Sequence, residues 1–269
     1  MNWLKQLLRR SSALRGLVSL FRFLRQEVWF AAWSRIAPKR FMDQAHVQRS
    51  WDFESAVSQE WHNRVLAAIA TAAGAEHWGD AIEIGCSEGV FTSYLATRCR
   101  SVNAFDISPI AQARAAERCA AYPNVRIGSL DLVNDPISGK YDLVFAMDVL
   151  SCIRGRRRLT IAVAKLKEAL RDGGLLIYTD NSMPLDIQRS WGRRPWWGRP
   201  LAMMEPEDCV RFLQRQFHLQ LVHWEQYTST KEGSRDQSIA LFRHEVAQRG
   251  SGGNYDQGIQ EALRAGSVR

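Results

Sequence analysis

Gly85 and Gly89 bracket Cys86, Ser87 and Glu88 directly after the apolar run Ala81–Ile84, and Asp106 ends the next apolar run. A tight glycine turn between a strand and a helix lets a ligand approach the backbone with no Cβ in the way. A carboxylate ending the neighbouring strand suits the hydroxyls of a ribose. Together they predict a nucleoside site, with Glu83, Gly85, Cys86, Gly89 and Asp106 as candidate contacts. Two ligand chemistries compete for it. A dinucleotide wants a glycine two places after the first, so that pyrophosphate can reach the helix N-terminus. Here Ser87 holds that place, and Glu88 at the helix entrance would repel phosphate. S-adenosylmethionine has no phosphate and carries an ammonium and a sulfonium, which the acids Glu83 and Glu88 suit.

The elements that must position these residues alternate. Residues 81–85, 102–106, 125–130, 141–149 and 175–179 read as strands; residues 59–73, 90–98, 110–121, 159–170 and 207–217 read as helices. Pro109 opens the third of those helices, where proline is well placed, and Asp172-Gly173-Gly174 closes the fourth. Such alternation implies right-handed βαβ units and a parallel sheet covered on both faces. Two further strands, about 219–227 and 237–243, follow without a helix between them and read as a hairpin over Lys231-Glu232-Gly233-Ser234. The predicted fold is α/β, a Rossmann-like, doubly wound sheet of seven strands ending in an antiparallel hairpin, with an N-terminal helical extension.

Charge is distributed unevenly. The formal net charge is +8, yet residues 1–40 hold nine basic residues against the single acid Glu27, so residues 41–269 are neutral. A basic arm is expected, without the basic body of a nucleic-acid binder. Residues 3–36 read as a helix with Leu14, Leu17, Val18, Phe21, Leu24 and Val28 at helical spacing, and its arginines and tryptophans suit an anionic membrane surface or packing on protein. No apolar run there approaches the roughly 20 residues of a membrane span. Five scattered cysteines and six histidines show neither disulfide nor metal-ligand spacing, so no metal is expected and a reducing cytoplasm suits the thiols. The expected organisation is a helical arm over residues 1–45, a catalytic domain over 46–245 with an insertion at 181–206, and a flexible tail over 246–269.

At the motif level, Glu83-x-Gly85-x-x-x-Gly89 resembles motif I of class I S-adenosylmethionine-dependent methyltransferases. Asp106-Ile107, Gly128-Ser129-Leu130-Asp131-Leu132, the run Tyr141–Asp148 and Leu170-x-x-Gly173-Gly174 continue the resemblance in order, over about residues 50–245. It implies a glycine loop for the methionine moiety, Asp106 for ribose, and Asp131 and Leu132 beside adenine, with Met147 on the fourth-strand motif. Asp131 can equally cap a turn before Asn134-Asp135-Pro136. Trp51-Asp52-Phe53-Glu54-Ser55 and Asp106-Ile107-Ser108-Pro109 further resemble the nodulation N-methyltransferase (NodS-like) branch, whose members methylate an amino sugar of a chito-oligosaccharide. The basic arm and the tryptophan-rich insertion depart from that branch.

Methyl transfer is an in-line displacement in which positioning supplies most of the acceleration, and a base need only take the acceptor's proton. Asp148, ending strand four, is the first candidate and Asp180 the second; each is equally readable as a solvated or capping carboxylate. Tryptophan faces stack on sugars and arginines pair with anions. Trp51, Trp61, Trp191, Arg194 and Trp196 are therefore candidate acceptor contacts, the last three on a lid. The expected function is methyl transfer to nitrogen or oxygen of a small-molecule or saccharide acceptor. The alternatives are an NAD(P)-dependent oxidoreductase and a non-catalytic methyltransferase-like binding protein. The residues do not decide the oligomeric state.

Overall fold

The parallel sheet predicted from the strand–helix alternation is present in a computed structural model that describes residues 38–48, 55–74, 77–153, 156–181, 206–228 and 236–244. The helix expected over 3–36, Trp51, the core of the insertion with Trp191, Arg194 and Trp196, the hairpin turn and the tail lie outside these residues.

In chain order the elements are α1 (Pro38–Gln48), α2 (Ala56–Ala73), β1 (Trp78–Ile84), α3 (Val90–Ala96), β2 (Cys99–Asp106), α4 (Pro109–Arg118), β3 (Val125–Ser129), β4 (Tyr141–Met147), a 3-10 turn (Leu150–Cys152), α5 (Arg156–Ala169), β5 (Leu170–Asn181), α6 (Pro206–Phe217), β6 (Gln220–Thr228) and β7 (Asp236–Arg243). The seven strands run in the order β3-β2-β1-β4-β5-β7-β6. Strands β1 to β5 are parallel; β7 inserts antiparallel between β5 and β6. The chain thus reverses its winding between β1 and β4, the place where open α/β sheets leave a crevice beyond their carboxyl ends.

Alternation along the central strands fills two cores. Ile82, Val144, Ala146 and Leu176 pack with Leu166 and Leu213 of α5 and α6. Ala81, Leu143, Phe145 and Ile177 pack on the other face with Val65, Ile69 and Leu95 of α2 and α3. Two helices begin at serine caps whose hydroxyls accept a backbone N–H, Ser55 from Ser58 and Ser108 from Ala111, each at 3.3 Å. Among the described residues no helix is long and apolar enough to cross a membrane.

Three boundaries differ from the sequence reading. Strand β1 starts at Trp78, ahead of the apolar run, because Asp80 is held in the sheet by Arg100 and Arg171 and by its own N–H on Asp142 at 2.7 Å. Strand β5 begins at Leu170, with Gly173 and Gly174 inside it rather than closing the helix before it. The polar stretch after Pro38 is helix α1, and it runs through the expected arm–domain boundary at residue 45. Its apolar content is too low to advertise a helix; tertiary contacts hold it. The Ser108 hydroxyl donates to Asp43 at 2.5 Å, and an Arg114 N–H to the His46 carbonyl at 3.5 Å.

Candidate active site

The turn after β1 is shaped by three left-handed residues, Gly85 (φ 77°), Ser87 (φ 50°) and Gly89 (φ 76°). Both glycines are required. A Cβ on Gly89 would lie 2.9 Å from the Ala115 backbone, and one on Gly85 would collide with Val149. The N–H groups of Gly85 and Cys86 both donate to the Phe105 carbonyl, at 2.7 and 3.0 Å, and so lock the turn to the end of β2.

There Asp106 lies buried. Its carboxylate accepts the N–H of Ser87 at 3.0 Å and that of Ser108 at 2.8 Å, which fixes both oxygens at the lip of a cavity of about 270 Å³. From the sheet and its loops, Glu83, Gly85, Cys86, Ser87, Glu88, Asp106, Ile107, Asp131, Leu132, Met147 and Asp148 line this cavity. Nine of the cofactor or base candidates read from the sequence therefore converge there, Gly89 shaping the turn from behind.

The acids differ in state. Glu88 is ion-paired with Arg114, so its charge is neutralised within the protein, contrary to the expectation that it faces the ligand as an open acid. Glu83 is buried and accepts the Thr92 hydroxyl at 2.6 Å. Burial pushes its carboxyl up to about 7, with the Asp106 charge adding and the Thr92 bond opposing. Such a group ionises when a cation arrives beside it. Asp131 does cap its turn: it accepts the N–H groups of Val133 and Asn134 at 2.9 and 3.3 Å while still lining the cavity. Burial raises the Cys86 thiol far above its ordinary range, which makes it unreactive.

Asp148 follows β4 in a left-handed conformation (φ 55°), unusual for a residue with a side chain. Its N–H donates to the Thr179 carbonyl, and the Thr179 hydroxyl donates to its carboxylate, both at 3.2 Å. The constrained backbone and this bond aim the acid at the cavity. Asp180, one residue beyond Thr179, is buried, accepts the Tyr178 hydroxyl at 2.7 Å, and is absent from the cavity lining.

Helices α1 and α2 supply the remaining wall with Met42, His46, Trp61 and His62. Of these the sequence singled out Trp61 alone. His46 and His62, both buried, present Nδ1 atoms without a hydrogen-bond partner, as does the Ser87 hydroxyl. A buried polar atom left unpaired costs about 1–3 kcal/mol, and three such atoms on residues that line one cavity single it out as a candidate ligand site. Burial holds the His62 imidazole down at about 4. Arg158 of α5 also lines the cavity. No signal in the sequence pointed to these residues except the adjacency of His62 to Trp61. No cluster of metal-ligating side chains occurs among the described residues.

Comparison with known proteins agrees with this geometry. The family described as Nodulation protein S (NodS) matches residues 39–200. Nodulation protein S of Azorhizobium caulinodans is 28% identical over 142 residues, 53% of this chain and 66% of the relative. Its counterpart in Bradyrhizobium diazoefficiens is 27% identical over 112 residues, 42% of this chain and 53% of the relative. The chain thus spans between about half and two thirds of the length of these curated relatives. The crystal structure of the N-methyltransferase NodS from Bradyrhizobium japonicum WM9 in complex with S-adenosyl-L-homocysteine superposes with a TM-score of 0.63 at 20% identity, over 76% of this chain and 98% of that one. An S-adenosylmethionine-dependent methyltransferase from Clostridium acetobutylicum gives 0.58 at 14%, over 77% and 99%. Both share this chain's overall fold.

Proposed function

The chain belongs to the nodulation protein S family, and from that membership and its cleft we propose that it is a methyltransferase that uses S-adenosylmethionine to methylate an amine of a saccharide acceptor. One observation carries the reading: a glycine turn fastened to a ribose-suited acid, with a buried carboxyl, Glu83, that turns anionic when a cation enters. When bound, S-adenosylmethionine supplies an activated methyl group on a sulfonium, with a neutral thioether as leaving group.

The chain's own residues do the rest. Asp106, joined by Ile107, would hold the ribose, and Asp131, Leu132 and Met147 would bind the adenine. Gly85, Cys86 and Gly89 leave backbone room for the methionine end, and Glu83 would pair with its ammonium. Asp148 takes the proton that the acceptor amine releases as its new nitrogen–carbon bond forms. An amine asks little of such a base, so closeness and alignment matter more than basicity. Asp180 supports β5 through Tyr178 instead. Trp61 offers an apolar face to a sugar ring, while the acceptor candidates Trp51, Trp191, Arg194 and Trp196 lie outside the described residues.

The test is transfer of a tritiated methyl group to a chito-oligosaccharide carrying one free amine. Label in the saccharide supports the reading; label in none of the amine or hydroxyl acceptors of a cell extract overturns it. The setting proposed is the reducing cytoplasm, with the basic residues 1–40 on the anionic inner face of the membrane. Equal flotation with anionic liposomes after deletion of those residues defeats the membrane part.

A further inference from the structure

The sheet-borne residues account for a nucleoside, yet two of the cavity-lining residues that carry an unpartnered polar atom belong to helices α1 and α2. The Nδ1 atoms of His46 on α1 and His62 on α2 are buried without a hydrogen-bond partner, and both residues line the same cavity as Trp61 and Met42. The His62 ring is wedged among Trp61, Phe91 and Tyr94, with centroids at 5.0, 5.4 and 5.6 Å, so its orientation is set before any ligand arrives. Two charges of the neighbouring helices are engaged elsewhere: Asp43 of α1 accepts the Ser108 hydroxyl, and Arg114 pairs with Glu88.

We propose that His46 and His62 form the polar grip of the acceptor site and take an uncharged hydrogen-bonding group, a saccharide hydroxyl or free-base amine, on their Nδ1 atoms. The inference rests on reading the cleft as a methyl-transfer site, and it names the acceptor chemistry that this site selects. Imidazole nitrogens in an apolar wall satisfy an uncharged donor or acceptor. A carboxylate or phosphate on the His62 ring would lose its hydration with no charge gained from that imidazole, and the one arginine among the lining residues, Arg158, is carried by α5 rather than by these helices. Burial keeps His62 uncharged at neutral pH, in keeping with this choice. The same surroundings favour the free-base form of an amine, the form with a lone pair to methylate. His46 and His62 are thus positioning residues, while Asp148 deals with the proton.

The experiment uses the full chain, isotope-labelled at the histidine ring nitrogens and saturated with S-adenosylhomocysteine. It is titrated with a glucosamine trisaccharide and followed by calorimetry and nitrogen NMR. The expected result is binding, with the His62 and His46 Nδ1 resonances moving in step with it. No binding, or binding with both resonances still, overturns the proposal. In parallel, His62→Phe keeps the packing and removes the hydrogen bond. It is expected to raise the KM for the trisaccharide about tenfold, with kcat and S-adenosylhomocysteine affinity within about twofold, and His62→Gln to recover most of the loss. A tenfold loss of S-adenosylhomocysteine affinity with KM unchanged would assign the ring to the cofactor and overturn the proposal. Trisaccharide binding with moving resonances but no tritium transfer would instead remove the methyl-transfer reading and leave the grip standing.

Discussion

The carboxylate of Asp106 accepts the backbone N–H of Ser87 at 3.0 Å, across nineteen residues of chain. This bond makes the acid that suits a ribose also a strut for the glycine turn. Asp106→Asn presents an amide that cannot accept from both Ser87 and Ser108. We expect S-adenosylhomocysteine affinity to fall at least about tenfold by calorimetry, with the sheet intact by circular dichroism. Unchanged affinity would detach Asp106 from the ligand.

Glu83 links cofactor binding to pH. Its carboxyl is held at about 7 in the empty protein, mainly by burial, so below that pH it carries a proton that a cationic ligand must displace. Affinity for S-adenosylhomocysteine, whose ammonium stays charged, should rise with pH by up to about one decade per unit below 7 and level off above it. Glu83→Gln should bind more weakly and show a flat profile.

The same shift sets a stability prediction. A carboxyl whose pKa is raised on folding contributes fully below the ordinary glutamate range, and that contribution is lost as pH rises through about 7. Without ligand, Glu83→Gln should therefore match the parent near pH 4 and exceed it near pH 8, by about 3 kcal/mol at most. Chemical denaturation at the two pH values measures this directly.

Gly89→Ala combines a left-handed backbone with a Cβ 2.9 Å from the Ala115 backbone. A loss of about 1–3 kcal/mol is expected, read as a lowered melting temperature, together with weakened cofactor binding as α3 shifts away from α4.

Asp148→Asn preserves the left-handed conformation, which asparagine tolerates, and removes the proton acceptor. Turnover should fall by about 10²-fold or more while S-adenosylhomocysteine affinity stays within about twofold. Unaltered turnover would take the base role from Asp148.

The parts of the site legible in the sequence are those written locally. Gly85 and Gly89 announce a turn through their spacing, and Asp106 announces itself by ending an apolar run. The strand–helix alternation likewise exposes the sheet, because buried parallel strands are apolar throughout. What was hidden depends on distant partners. Helix α1 carries no apolar stripe and is held by Ser108 and Arg114, more than sixty residues away. Glu88 is an open acid on paper and an ion-paired one in the fold, because α4 brings Arg114 to it. Asp180 resembled a second base, but its side chain is turned to Tyr178. His46 and His62 gain meaning only once two helices close over the sheet.

The account stands or falls on what enters the crevice beside the glycine turn. Calorimetry of the full chain with S-adenosylhomocysteine and, separately, with NAD tests this most directly. Saturable binding of the first at one site, abolished by Asp106→Asn, and no heat from the second are predicted. Binding of NAD, or of neither compound, would contradict it.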